Sequence, residues 1–197
     1  MKIVQLTKPF YHTIIYDFYT PKEEASIWEE LNFLNQPGKL LDRTFNGDPL
    51  ASDNKLGLHL DKAYGKYRHL SNILTINRKI FNIRNSLLEN PFAKYLEICD
   101  QDYSFISYYP DKSFYAPHFD RFTLSSITTF WRMPQNFTGG NLQFLDYKYV
   151  PQMKHNTIIL FPSFEMHEVT PVHIKKSAEA KGLSRYTINQ FMMIKES

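Results

Sequence analysis

The stretch YYPDKSFYAPHFDRF, residues 108–122, sets a histidine and an aspartate one residue apart among aromatics, immediately after a proline-broken strand. In an extended chain side chains alternate with period two, so His118 and Asp120 are expected on one face and Phe119 on the other. A buried carboxylate beside a buried imidazole is costly unless something pairs them. The surrounding sequence decides whether this HxD is a hydrogen-bonded pair or part of a larger set of donors.

Downstream of Asp100 the chain reads as short strands: YSFISYY, SITTFWRM, NLQFLD, NTIILF and RYTINQFMMI, separated by turns that carry Pro or Gly-Gly. Upstream, TIIYDFY reads as a strand. It runs into a helix over 21–34, with Thr20 as cap, Pro21 at the first helical position and Glu23 completing a capping box. Ile73, Ile76, Ile80, Ile83 and Leu87 recur at spacings of three and four, which predicts a second helix that starts after Ser71 and stops at Asn90-Pro91. KLLDRTF (39–45) reads as a further strand, and the Gly-, Asp- and Asn-rich run 46–67 as a long loop at the mouth of the site. Helices first and strands later imply an α+β fold, an antiparallel β-sandwich supported by N-terminal helices. One domain over 1–197 is expected, with support in 1–100 and the core in 101–197.

Composition narrows the function. Aromatics make up 16% of residues, and the formal net charge is only +3 with scattered basic residues, which argues against a nucleic-acid partner. The single cysteine, Cys99, rules out an internal disulfide and a cysteine-rich metal site. The N-terminal sequence has no signal-peptide pattern and no segment approaches membrane-spanning length, so a cytoplasmic protein with no membrane partner is expected. Asn136 in NFT matches a glycosylation sequon that a cytoplasmic chain would not use.

Two histidines and a carboxylate on one triangular face can hold iron(II) and leave positions open. The second histidine would come from His155, His167 or His173. His155 sits in a polar turn and His173 in a charged stretch, whereas His167 follows the apolar strand NTIILFP and can project from a buried element.

At these residues the sequence resembles the iron(II)- and 2-oxoglutarate-dependent dioxygenases, in particular the prolyl 4-hydroxylase-like branch. The similarity spans 105–191 and is carried, in order, by YYP, HFD, GGNLQF, NTIILF, HEVTPV and RYTINQF. It implies a double-stranded β-helix (jelly-roll) core with Fe(II), 2-oxoglutarate and O2 as cofactor and cosubstrates, and it admits ascorbate as reductant. His118, Asp120 and His167 become the metal ligands and Arg185 the partner of the distal carboxylate of 2-oxoglutarate. The guanidinium suits that role, because its planar fork of donors matches a carboxylate and keeps its charge. Strand parity adds Thr187 and Asn189 to Arg185's face, and Tyr109 and Trp131 match pocket aromatics. The stretch HIKKSAEAKGLS lengthens the span between His167 and Arg185 beyond that of many members, with Lys181 the next candidate if the register differs.

The resemblance implies hydroxylation of an unactivated C–H bond, foremost that of a prolyl residue in a peptide or protein, with release of succinate and CO2. Fold and cosubstrate also serve enzymes of free amino acids and other small molecules, and a non-catalytic metal-binding module is the reading outside enzymes.

Overall fold

Strand β12 (Arg185–Met193) lies between β4 (Gln101–Tyr109) and β6 (Leu124–Phe130), antiparallel to both, and its alternation divides the molecule into two cores. The computed structural model describes residues 1–36 and 54–194. Tyr186, Ile188 and Met192 point to a core shared with helical residues such as Ile27, Leu31 and Ile73. Arg185, Thr187 and Asn189, offset by one residue, turn to the opposite face of the sheet. The same division runs through β9 (Thr157–Pro162), where Ile158 and Leu160 join the helical side while Ile159 and Phe161 join a second core. Each fully buried Ile or Leu of this kind contributes about 1.5–3 kcal/mol relative to exposure.

With β1 (Lys2–Leu6), β2 (His12–Tyr16) and β3 (Leu56–His59), these strands form a seven-stranded antiparallel sheet in the order β1-β2-β9-β6-β12-β4-β3. The second core is closed by two small sheets. One is β5 (Tyr115–His118), β10 (His167–Val169) and β8 (Leu142–Phe144), and the other is β11 (Val172–Ile174) with β7 (Phe137–Gly139). Phe137, Leu142, Phe144 and Val169 meet Ile14, Ile127, Ile159 and Phe161 between the layers. The architecture is the expected α+β jelly roll, helices covering the outer face of the large sheet.

Helix α1 (Pro21–Leu34) keeps its expected bounds: Thr20 and Glu23 exchange backbone and side-chain hydrogen bonds at its start. The second helix does not. Ser71 caps it as expected, through the Leu74 N–H, but the run breaks into helical turns at Asn72–Asn77 and Lys79–Asn82 and a 3-10 turn at Arg84–Leu87. Ile73, Ile80 and Leu87 still face the core. The ladder between them fails in a stretch rich in Asn and Ser, whose side chains compete for backbone groups or serve other partners. Asn77, for instance, accepts from the Tyr19 hydroxyl at 2.6 Å and donates to Ser104.

The expected strand at 39–45 and the first part of the expected loop, 46–53, lie outside the described residues. From Leu56 onward the loop reading is corrected. Leu56 and Leu58 alternate with Gly57 and His59 to make β3, an edge strand on β4, and a short helix follows at Leu60–Tyr64. Leu58 and Leu60 are buried in the helical core, an apolar commitment that the surrounding Gly, Asp and Asn residues disguise. Among the described residues no helix is long and apolar enough to cross a membrane.

Candidate active site

His118 closes β5 and His167 opens β10, and the antiparallel register sets these two residues directly opposite one another. Their rings lie 4.3 Å apart between centroids. Asp120 joins them by a different route from simple strand alternation, because β5 ends at His118. Its backbone N–H donates to the Ser163 carbonyl at 2.8 Å, fastening the turn after β5 to the end of β9. The carboxylate then stands 3.8 Å from His118 Nε2 through Oδ1 and 3.8 Å from His167 Nε2 through Oδ2. One donor atom from each of the three residues falls within 4.8 Å of the others, a group able to hold a metal ion.

Local hydrogen bonds fix what those atoms present. Nδ1 of His118 is 2.8 Å from the Ala116 carbonyl and Nδ1 of His167 is 2.8 Å from the Glu165 carbonyl. A carbonyl only accepts, so each Nδ1 carries the proton and each Nε2 turns a lone pair toward the common point. Asp120 Oδ2 accepts from the Ser125 hydroxyl at 2.5 Å, and Ser125 is itself 2.8 Å from the Ser163 hydroxyl. Outer partners of this kind orient ligands and set their basicity. Burial, then the neighbouring His167, holds the pKa of His118 down to about 3, so its imidazole is neutral as a ligand must be. Burial also pushes the Asp120 carboxyl up, against the pull of His167 and Ser125. A divalent cation at the common point offsets the cost of that buried carboxylate, so the donor set fits a metal.

The triad opens on a cavity of about 510 Å³ whose wall includes Tyr109, Tyr115, Thr187 and Asn189. Arg185 lies behind that wall, 1% exposed, with its guanidinium 4.8 Å from the centre of the Tyr109 ring. Among the described residues its Nη1 and Nη2 have no hydrogen-bond partner, and neither do Thr187 Oγ1 and Asn189 Oδ1 on the same face. Burial draws the Arg185 pKa down while Tyr109 draws it up. A buried guanidinium with both terminal nitrogens unpaired is unfavourable by itself, and it fits the carboxylate end of a bound acid. Lys181 is exposed, and β12 pairs Arg185 with Tyr109.

Trp131 is not among the residues of the cavity wall. It follows the end of β6 and continues the strand's alternation onto the face of Ile127, in the second core, where it packs edge-on against Phe137 at 5.4 Å. His155 and His173 are outside the triad. His155 accepts from the Trp131 backbone N–H at 3.1 Å, and His173 lines a separate surface groove with Asp111 and Gln135.

Lys55 is the residue that sequence reasoning missed. It is 2% exposed and part of the cavity wall, with Nζ 3.2 Å above the centre of the Tyr115 ring. Only the pairing of β3 places it there, and nothing in SDNKLGLH marks this lysine as buried.

Gly140 supports Arg185 from the side. Its φ is +66°, and an added Cβ would lie 2.8 Å from Val172 Cγ2 and 2.9 Å from Arg185 Cδ. Gly140→Ala is expected to destabilise the fold by about 1–2 kcal/mol through the left-handed backbone alone. The measurement is the urea midpoint, which an easily accommodated methyl would leave unchanged.

Residues 103–193 match the sequence profile described as the 2OG-Fe(II) oxygenase superfamily. No curated protein matches the sequence. Among solved structures, the chain is similar to a Pseudomonas putida prolyl-4-hydroxylase, with 15% identity, 94% of this chain and 93% of that chain covered, and a TM-score of 0.58. It is also similar to a viral collagen prolyl hydroxylase from Paramecium Bursaria Chlorella virus-1 in a 2OG complex, at 13% identity, 96% and 99% coverage and a TM-score of 0.56. A 2OG-Fe(II) oxygenase-family oxidoreductase from Burkholderia pseudomallei follows at 12% identity, 92% and 85% coverage and a TM-score of 0.53. At these identities the structural likeness speaks for the fold.

Proposed function

We propose, for a chain whose residues 103–193 belong to the 2OG-Fe(II) oxygenase superfamily, that His118, Asp120 and His167 hold the iron and that the enzyme hydroxylates a prolyl residue in a peptide. The protein is an Fe(II)- and 2-oxoglutarate-dependent dioxygenase. Bound together, Fe(II), 2-oxoglutarate and O2 supply the oxidation: one oxygen atom enters the substrate C–H bond as a hydroxyl, and the other ends in succinate as CO2 leaves. The observation that carries the site assignment is the convergence of two Nε2 lone pairs and one carboxylate within 4.8 Å beside a cavity.

The chain's own residues divide the remaining work, with 1–197 acting as one oxygenase domain. His118, Asp120 and His167 would hold the metal with one donor atom each, and so few protein donors would leave positions for the cosubstrate and oxygen. Arg185 is assigned the distal carboxylate of 2-oxoglutarate, with Thr187, Asn189 and Tyr109 lining its berth. Ser125 and the two backbone carbonyls keep the ligands oriented through turnover. Apolar walls such as Phe105 and Ile127 exclude water from the reacting centre.

A peptide substrate is supported by the mouth of the cavity. Tyr103 and Phe119 on its rim are 42% and 47% exposed, and Phe122 stacks on Phe191 at 4.6 Å, which gives an extended chain flat aromatic surfaces to lie on. The two prolyl hydroxylases of similar fold agree with this reading. The test supplies Fe(II), 2-oxoglutarate and either proline-containing peptides or free amino acids, and follows succinate together with the gain of one oxygen in the substrate. Oxygen gained by a peptide proline supports the proposal. Oxygen gained only by free amino acids transfers it to a small-molecule hydroxylase, and absence of succinate in every mixture leaves a non-catalytic metal-binding module.

A further inference from the structure

We propose that an aromatic surface outside the cavity, formed by Tyr11, Phe92, Tyr95 and Phe164, docks a proline-rich flank of the substrate in the polyproline II form. The inference rests on the prolyl reading above and adds to it how the substrate is held beyond the reacting residue.

Turns far apart in sequence bring these rings together. Pro91–Glu97 is a 3-10 turn, in which side chains three residues apart lie above one another, and Phe92 and Tyr95 stack at 6.3 Å between centroids and 26° between planes. Asn90 fastens that turn. Its side chain accepts from the Phe92 N–H and donates to Thr13 of β2, and its backbone N–H donates to the Gln5 side chain of β1. Phe92 packs against the helical core, and its ring meets Tyr11 at 6.1 Å and Phe164 at 5.8 Å. Tyr11, Tyr95 and Phe164 are 40%, 44% and 63% exposed. Large rings gathered at the surface and held from beneath mark a place for a partner.

The position of the cluster selects that partner. Tyr103, Phe191, Ser125 and Phe161 share one register level across β4, β12, β6 and β9, and Tyr103 and Phe191 line the cavity. Tyr11 lies just ahead of β2 and Phe164 just past β9, at this same end of the sheet. The turn 119–123 supplies Phe119, Arg121 and Phe122 to the cavity wall, and it is bonded twice to Ser163. The Asp120 N–H donates to the Ser163 carbonyl, and the Ser163 N–H donates to the Thr123 carbonyl. The cluster therefore begins one residue from a bond to the cavity rim. A chain that leaves the reacting centre over this turn runs onto Phe164.

The chemistry of the cluster suits proline. Polyproline II is rigid before it binds, so docking it on aromatic rings orders little that was free. Each neighbouring ring stands 5.8–6.3 Å from Phe92, close to the advance of two polyproline II residues at about 3.1 Å each. That form has no internal hydrogen bonds, and the hydroxyls of Tyr11 and Tyr95 are donors for its carbonyls.

Matched peptides test the proposal. Each has one central Gly-Pro-Gly and, on its N- or C-terminal side, a flank of either proline or Gly-Ser repeats, long enough to cover about 19 Å as polyproline II. Fragment mass spectrometry locates the added oxygen on the central proline. A proline flank on one side is expected to raise kcat/KM at that residue about tenfold in the wild type, the scale of two aromatic contacts. The double variant Tyr95→Ala with Phe164→Ala is expected to erase the preference, with the rate on Gly-Ser peptides and the KM for 2-oxoglutarate changed by less than about twofold. Tyr11→Ala with Tyr95→Ala, which leaves Phe164 beside the ligand-holding residues intact, is expected to do the same. Equal use of both flanks by the wild type overturns the proposal, as does a preference that survives in either double variant or a rate lost equally on every peptide. A dimer in sedimentation that both double variants dissociate assigns the surface to a second copy and also overturns it. If the wild type hydroxylates none of the peptides, the prolyl reading fails, and binding of a fluorescent proline decamer decides for the surface. Tighter binding than that of a Gly-Ser decamer, lost in both double variants, supports the surface, and equal binding refutes it.

Discussion

His167→Ala is expected to reduce succinate formation from 2-oxoglutarate to background while leaving a folded protein. The imidazole is 2% exposed and its Nε2 points into the triad, so the substitution removes one of three proposed ligands and leaves a void beside Phe144 and Phe161. Loss of an outer partner of a metal ligand typically costs about 10–100-fold in affinity or activity, and loss of the ligand itself exceeds that. The structural cost is smaller, on the order of 2 kcal/mol for a partly collapsing cavity, against total stabilities of about 5–15 kcal/mol. Circular dichroism and a calorimetric Fe(II) titration under nitrogen separate the two effects. An intact spectrum with no heat of metal binding is the expected pair, and wild-type Fe(II) affinity in the variant would remove His167 from the site.

Arg185 provides the second large effect, and its sign differs between function and stability. Arg185→Lys replaces a two-pronged donor by a point charge, so the KM for 2-oxoglutarate is expected to rise about 10–100-fold, the equivalent of one or two charged hydrogen bonds, with Fe(II) affinity little changed. Arg185→Met removes a buried cation whose Nη1 and Nη2 find no hydrogen-bond partner among the described residues, and replacing a buried charge by an apolar side chain is often neutral or stabilising. The Met variant is therefore expected to melt at or above the wild-type temperature in the absence of 2-oxoglutarate. It should also lose the stabilisation that the cosubstrate gives the wild type, about 2.7 kcal/mol at a concentration of 100 Kd. A Met variant that melts well below wild type, or that is still stabilised by 2-oxoglutarate, would show that the guanidinium is a structural tie.

How much of this was legible in the sequence follows from how local each signal is. Helix α1 was readable to the residue because its cap, its proline and its capping box all lie within four positions of its start. The strands after Asp100 were readable because turn residues punctuate them, and β12 fell into the register that sets Arg185, Thr187 and Asn189 on one face. The convergence of His118 and His167 needed a cross-strand register that sequence supplies only through resemblance. The alignment of Asp120 needed a backbone bond to Ser163 that alternation does not encode. The broken run after Ser71 misled because apolar spacing reports which face is buried, and it is silent on whether Asn77 is held by Tyr19 and Ser104. Lys55 was hidden for the converse reason: one lysine in a polar stretch carries no sign of burial until β3 is seen to pair with β4.

The central claim is that His118, Asp120 and His167 hold an iron that works with 2-oxoglutarate. Its most direct measurement is the succinate released from 2-oxoglutarate by the purified protein, with and without Fe(II), in the wild type and in Asp120→Asn. Succinate that appears only with Fe(II), in equal amount to the CO2 released, and that vanishes in Asp120→Asn is the expected result. Succinate formed at the same rate in Asp120→Asn, or none formed by a wild-type protein with Fe(II) bound, would contradict it.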